Sequence, residues 1–112
     1  MAEKEKLVLT NLYKTIENRR DNPIENSYTC YLLDKGLDKI LKKIGEESAE
    51  VIIAAKNGEH VETIYEIADL LYHLIVMMVD QGIPLEEVLA EIDDRSKKTQ
   101  NLKQFHKVDK NS

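Results

Sequence analysis

Between Ile64 and Val79 the chain reads IYEIADLLYHLIVMMV, and only Glu66, Asp69 and His73 interrupt the apolar run. Wound at 100° per residue, those three polar side chains fall on one stripe about 60° wide, with Glu62 and Asp80 extending it. The rest of the cylinder is Ile, Leu, Val, Met, Ala and Tyr. Such a surface predicts a helix buried on most sides. Four helices of one small chain are too few to cover it, so an oligomer whose interface includes this helix is expected.

The remaining pattern is helical as well. Leu7, Val8, Leu12, Tyr13 and Ile16 predict a first helix from about Glu3 to Asn18. RRDNPIENS breaks it, because Pro23 disfavours helix at Asn22 and the Asp and Asn side chains compete for backbone bonds. Ser27 is placed to cap a short helix over YTCYLLDK, which ends at Gly36. Leu37, Ile40, Leu41, Ile44, Ser48, Val51, Ile52 and Ala55 predict a long helix over 37–57, stopped by Asn57 and Gly58. The acidic-striped helix follows from about His60 to Gln81 and stops at Gly82. Pro84 suits the first turn of a last helix with the apolar face Leu85, Val88, Leu89 and Ile92. No β-alternation competes, and few Gly and Pro with 33% charged residues suit a helical globular chain. The fold class is therefore all-α, an antiparallel bundle of four to five helices in one domain over 1–96, completed by oligomerisation. A basic tail occupies 97–112.

Cys30 is alone, so neither a disulfide framework nor a cysteine zinc site is expected. The opening MAEKEKLVLT lacks the apolar core of a signal peptide, and no apolar run is long enough to span a bilayer. A cytoplasmic protein without a membrane partner is the expectation. The net charge of −5 is uneven: residues 95–112 carry six Lys or Arg against Asp109. We read the tail as a frayed helix end whose cations complement the C-terminal dipole. No basic patch interleaves with aromatics, which argues against a polymeric nucleic acid partner.

A second acidic pair lies on the 37–57 helix. Glu47 and Glu50 flank its apolar face, Lys43 precedes them by one turn on the same stripe, and Glu46 points away as an outlying candidate. If the two long helices form an antiparallel hairpin across the short Asn57–Glu59 link, Glu47 and Glu50 can face Glu66 and Asp69. Between Asn57 and Asp94 there are ten acidic residues and no Lys or Arg. Converging carboxylates repel, and burial of unpaired ones is costly, so raised pKa values or bound divalent cations must neutralise them. All-oxygen ligands suit Mg²⁺ or Mn²⁺. An ordinary solvated face accounts for Glu47 and Glu50 taken alone; it accounts less well for Glu66 and Asp69 on their narrow stripe. His73 is read as orienting a carboxylate. Tyr65 and Tyr72 are read as core.

Glu47-x-x-Glu50, a gap, then Glu66-x-x-Asp69 resembles the signature of the all-α, MazG-like nucleotide pyrophosphohydrolases. SYTCYLLDKG, DKILKKIGEESAEVIIAAKNG, EIADLLYHLIVMM and LEEVLAEIDDRS bring the resemblance nearest to the phosphoribosyl-ATP pyrophosphatase family, over roughly residues 10 to 96. That resemblance implies an enzyme hydrolysing 1-(5-phosphoribosyl)-ATP to phosphoribosyl-AMP and pyrophosphate, the second step of histidine biosynthesis; for the oligomer expected from the apolar helix, a homodimer is the first choice and a higher assembly stays open. It implies Glu47, Glu50, Glu66 and Asp69 as catalytic Mg²⁺ ligands. Lys43, with Lys39 next, is placed for phosphate contacts, and Arg95 is a candidate that a surface ion pair would equally explain. Lys35, Ser27 and Tyr28 belong to a segment that resembles the part of the family separating this activity from other members, and are expected as substrate contacts. The rival readings are a house-cleaning hydrolase of dCTP, dUTP or modified nucleotides, a non-enzymatic metal-binding bundle, and a helical interaction module.

Overall fold

A computed structural model of the chain describes Glu5 and residues 7–98. Five helices follow one another among these residues: α1 (Val8–Asp21), α2 (Tyr28–Lys35), α3 (Leu37–Lys56), α4 (His60–Gln81) and α5 (Leu85–Ser96). The expected all-α architecture is what they form. The expected start of α1 at Glu3 lies outside the described residues, as does the basic tail beyond Lys98. Helix α1 runs past Asn18 to Asp21 and stops at Asn22, the residue that Pro23 keeps extended. Pro84 does not enter the first turn of α5. It sits just before it with φ −66° and ψ 136°, and its carbonyl accepts from Glu87 N.

The turns obey local chemistry. Ser27 accepts a hydrogen bond from Cys30 N at 3.1 Å and so satisfies an amide at the start of α2. Gly36 joins α2 directly to α3 with φ 92° and ψ −173°, a conformation essentially reserved for glycine. Asn57 to Glu59 fold α3 back onto α4 through bonds from Gly58 N to Ala55 O and Glu59 N to Ala54 O.

Ile16, Leu32, Ile40, Ile75, Val76, Val79 and Leu85 form the buried core, drawing on all five helices. Tyr13 donates its hydroxyl to Ile83 O at 2.8 Å, which ties the α4–α5 turn to α1. Helix α5 docks through Leu85 while Leu89 and Ile92 stay exposed, so the apolar face read from its sequence is only partly used within the chain.

Two expectations are corrected by the packing. The residues of α3 turned inward are Ile40, Glu47 and Ala54, while Leu41, Ile52 and Ala55 face out. Glu47 is therefore at the centre of the buried face and not at its edge, because α3 meets α4 with its acidic flank. Helix α4 is buried through His73, Ile75, Val76 and Val79, but in its first half only Glu66 is buried: Val61 is 79% exposed and Tyr65 67%. Tyr65 is no core residue of the single chain, whereas Tyr72 is half-buried.

Gly36 has open space around the position a Cβ would take. Gly36→Ala should therefore cost only the backbone strain, about 1–3 kcal/mol, read as a lower urea midpoint with an unchanged m-value.

Candidate metal centre

The α3–α4 hairpin brings both acidic pairs together. Glu47, Glu50 and Glu66 offer carboxylate oxygens within 4.8 Å of one another, and Glu47 makes a second such group with Asp69 and His73. Glu47 is 4% exposed and Glu66 8%. One oxygen of each, Glu47 Oε2 and Glu66 Oε2, is buried without a hydrogen-bond partner among the described residues. Buried acceptors left in that state are costly, and a bound proton or a bound cation would relieve them. Glu50 is exposed and Asp69 half-exposed. Glu50 and Glu66 open onto an acidic cleft of about 380 Å³, also lined by Ile53, Ala54, Glu59 and Glu62. A cation can reach the buried oxygens from that side. The donor set is entirely carboxylate oxygen apart from His73, which fits a hard divalent ion.

Electrostatics agree with the geometry. Burial first, then hydrogen bonding and repulsion from Asp69, push the Glu47 carboxyl above its ordinary range. Glu66 is raised to about 7 from 4.5, by hydrogen bonding with Glu50, by burial and by Glu47. Lys43 Nζ lies 3.6 Å from Glu47 Oε1 and 3.4 Å from Glu46 Oε1. Burial works against its charge, but the hydrogen bond to Glu46 and the neighbouring Tyr28 and Glu47 hold its pKa above the usual value. One ammonium shared between two carboxylates leaves Glu50, Glu66 and Asp69 without a Lys or Arg partner among the described residues.

His73 is buried below the cluster. Its Nδ1 is 2.8 Å from the Asp69 carbonyl and 3.5 Å from Asp69 Oδ1, and its Nε2 is 2.9 Å from the Tyr28 hydroxyl. A carbonyl can only accept, so Nδ1 carries a hydrogen. In the neutral ring Nε2 then accepts from Tyr28. With both nitrogens engaged, His73 braces Asp69 and anchors α2 against α4.

The other sequence candidates separate. Glu46 is on the exposed side of α3, paired with Lys43. Ser27 spends its hydroxyl on the α2 cap. Tyr28 stacks between Tyr31 and Tyr72 at centroid distances of 6.2 Å, and Tyr72 is further bonded to Thr29. Lys35 and Lys39 both reach over the Tyr31 ring, at 5.8 and 5.9 Å. Arg95 is engaged by Glu91 at 3.2 Å, the surface pairing left open by the sequence, and is not brought to the carboxylates. Lys97 and Lys98 pair with Asp93 and Asp94. Sequence reasoning missed Tyr31 and Glu59, while Glu62, read as an extension of the stripe, does line the cleft. An i, i+4 spacing of Tyr31 and Lys35 was the available signal for the former.

Residues 9–96 match the phosphoribosyl-ATP pyrophosphohydrolase family. The chain is 53% identical over 101 residues to the phosphoribosyl-ATP pyrophosphatase of Clostridium botulinum strain Hall, spanning 90% of this chain and 92% of the relative. It is 55% identical over 91 residues to the enzyme of that name from Listeria monocytogenes serotype 4b, spanning 81% and 87%. A histidine biosynthesis bifunctional protein from Caldanaerobacter subterraneus is 50% identical over 91 residues, 81% of this chain and 44% of that protein.

The Glu66 shift fixes a pH dependence. Between pH 4.5 and about 7 the folded chain holds a proton that the unfolded chain has lost, so stability without cation falls as pH rises through that window. In chelator at pH 8, Glu66→Gln should melt above the parent, the gap should close at pH 4, and Mg²⁺ should raise the Tm of the parent more than that of the variant. A variant melting below the parent at pH 8 would contradict the unpartnered-carboxylate account.

Proposed function

The chain belongs to the phosphoribosyl-ATP pyrophosphohydrolase family, and we propose that its hydrolysis of phosphoribosyl-ATP runs on divalent cations held by Glu47, Glu50, Glu66 and Asp69. The reaction releases pyrophosphate, leaves phosphoribosyl-AMP, and belongs to histidine biosynthesis. The family is one of metal-dependent pyrophosphohydrolases, and its substrate is a small nucleotide. The observation that carries the reading is the pair of buried oxygens, Glu47 Oε2 and Glu66 Oε2, with no hydrogen-bond partner among the described residues.

Mg²⁺ is the cation we assign, with Mn²⁺ as the substitute, because the acidic donors are hard oxygens. When bound, it neutralises the polyphosphate and makes water a competent nucleophile. The remaining work falls to the chain. Glu50 and Glu66 line the accessible cleft, and Glu47 and Asp69 close the set from the interior side. His73 holds Asp69 by its backbone and side chain, so the carboxylate is in place before the substrate arrives. Lys43 offers a positive charge one turn from Glu47, where a phosphate of the substrate would otherwise meet only carboxylates. Glu46 is better suited to steering Lys43 than to holding metal.

We further assign the enzyme to the cytoplasm as a homodimer, with no nucleic acid partner, and take 1–96 as its catalytic domain and 97–112 as a basic tail. No helix of the described residues is long and apolar enough to cross a membrane. Leu41 and Ile52 on α3 with Val61, Ile64, Tyr65 and Leu71 on α4 are exposed in the single chain. An apolar surface on the outer side of the hairpin is what a second copy would cover.

Pyrophosphate release should be rapid from phosphoribosyl-ATP with Mg²⁺ and abolished by chelator, and slow from dCTP, dUTP and ATP. Activity on the simple nucleotides alone would move the protein to the house-cleaning branch. Asp69→Asn should lose at least about a hundredfold in kcat, as removal of a charge-stabilising group does, while helical circular dichroism is kept. Light scattering should give the mass of two chains; a stable monomer would refute the assembly.

A further inference from the structure

We infer that Tyr31, Lys35 and Lys39 form a subsite for the far end of the substrate, the 5-phosphoribosyl group carried on N1 of the adenine. The inference rests on the function proposed above and says how that enzyme tells its substrate from ATP. Phosphoribosyl-ATP bears a triphosphate at one end, adenine in the middle and a phosphorylated ribose at the other. It needs cations at two places along its length.

Helix α3 supplies such a spacing. Lys39, Lys43 and Glu47 succeed one another at i, i+4 and i+8, so Lys39 stands about 12 Å from Glu47 along the helix axis. Lys43 lies between them, one turn from each. Lys35, from the last turn of α2, meets Lys39 over one ring, with both ammonium groups within 6 Å of the Tyr31 centroid. Neither is ion-paired with a carboxylate among the described residues. Asp38 shares the first turn of α3 without pairing to either.

Cation–π attraction to the Tyr31 ring favours this arrangement modestly, and two terms oppose it. A lysine in the first turn of α3 faces the positive end of that helix, where a cation is unfavourable. Bringing a second ammonium to the same ring adds repulsion. A phosphate between the two lysines would remove both costs and form charge-assisted hydrogen bonds. Tyr31 is 43% exposed and stacks on Tyr28, whose hydroxyl reaches His73 beneath Asp69. The ring ladder thus runs from the carboxylate centre to the lysine pair, and offers faces on which the purine can lie. Beyond it, Tyr31 lines a cavity of about 620 Å³ with Ser27, Ile24 and Cys30, which leaves room for the ribose. The two arginines of that cavity are committed elsewhere, Arg20 to Asp21 at 3.0 Å and Arg19 to Asn18 at 3.1 Å. Lys35 and Lys39 are the better anion donors.

The test compares phosphoribosyl-AMP with AMP by titration calorimetry in Mg²⁺, using the full chain and the double variant Lys35→Gln/Lys39→Gln. The parent should prefer phosphoribosyl-AMP by at least about tenfold, the worth of one charge-assisted phosphate contact, and the variant should lose that preference. In turnover of phosphoribosyl-ATP, KM should rise about tenfold or more with kcat kept within about threefold. Tyr31→Leu, which leaves both lysines, should also raise KM. A parent without preference, a double variant that keeps it, or a fall in kcat at unchanged KM would each overturn the subsite. Pyrophosphate release by the parent reports separately on the carboxylate centre, so loss of one reading does not hide the state of the other.

Discussion

Carboxylate meeting carboxylate across the α3–α4 hairpin is the constraint around which this structure is arranged. Glu47 occupies a position that an aliphatic side chain would fill at a gain in stability, since it is buried between Ile40 and Ala54 on the inward face of α3. With Glu66 beside it and Lys43 the one ammonium paired with it among the described residues, the hairpin carries an electrostatic penalty that its apolar contacts must offset. A cation bound there, as proposed, would convert that penalty into binding energy. The fold would then give up stability that its ligand returns.

Because the acids weaken the hairpin, the surrounding elements brace it. The core gathers side chains from all five helices at the far half of α4, through Ile75, Val76 and Val79, and leaves the acidic half to polar supports. His73 marks the boundary between the two halves. Its ring is packed like a core residue, yet its nitrogens join Tyr28 to Asp69 and so link α2 to the site. Gly36 makes that linkage possible by turning α2 straight into α3 with no intervening loop, which sets Tyr31 and Lys35 against Lys39. The elements that build the carboxylate centre and those proposed to recognise the rest of the substrate are therefore one continuous piece of chain.

The apolar residues left outside follow from the same geometry. Helix α3 turns its acidic flank to α4, and its aliphatic strip at Leu41 and Ile52 is rotated away from the core. On α4 the counterpart is Val61, Ile64 and Tyr65. A chain that commits part of its best-packed interface to charge has apolar surface to spare, and a second copy is the cover proposed for it.

Much of this was legible in the sequence because the deciding features are local. Pro23, Ser27, Gly36, Gly58 and Gly82 punctuate the helices through backbone chemistry that needs no partner, and the three polar residues among thirteen apolar ones fixed the stripe on α4 by period alone. The short Asn57–Glu59 link gave the hairpin, and with it the meeting of both acidic pairs. Three things lay beyond local rules. The rotation of α3 that puts Glu47 at the centre of the buried face depends on which flank α4 accepts, and a helical wheel carries no information about its partner. The bond from Tyr28 to His73 joins residues 45 apart. The convergence of Lys35 and Lys39 on Tyr31 depends on the angle between two helices at Gly36. The sequence determined which residues line each helix, because side-chain period is a property of one backbone; tertiary packing decided which of them meet, because contact is a property of two.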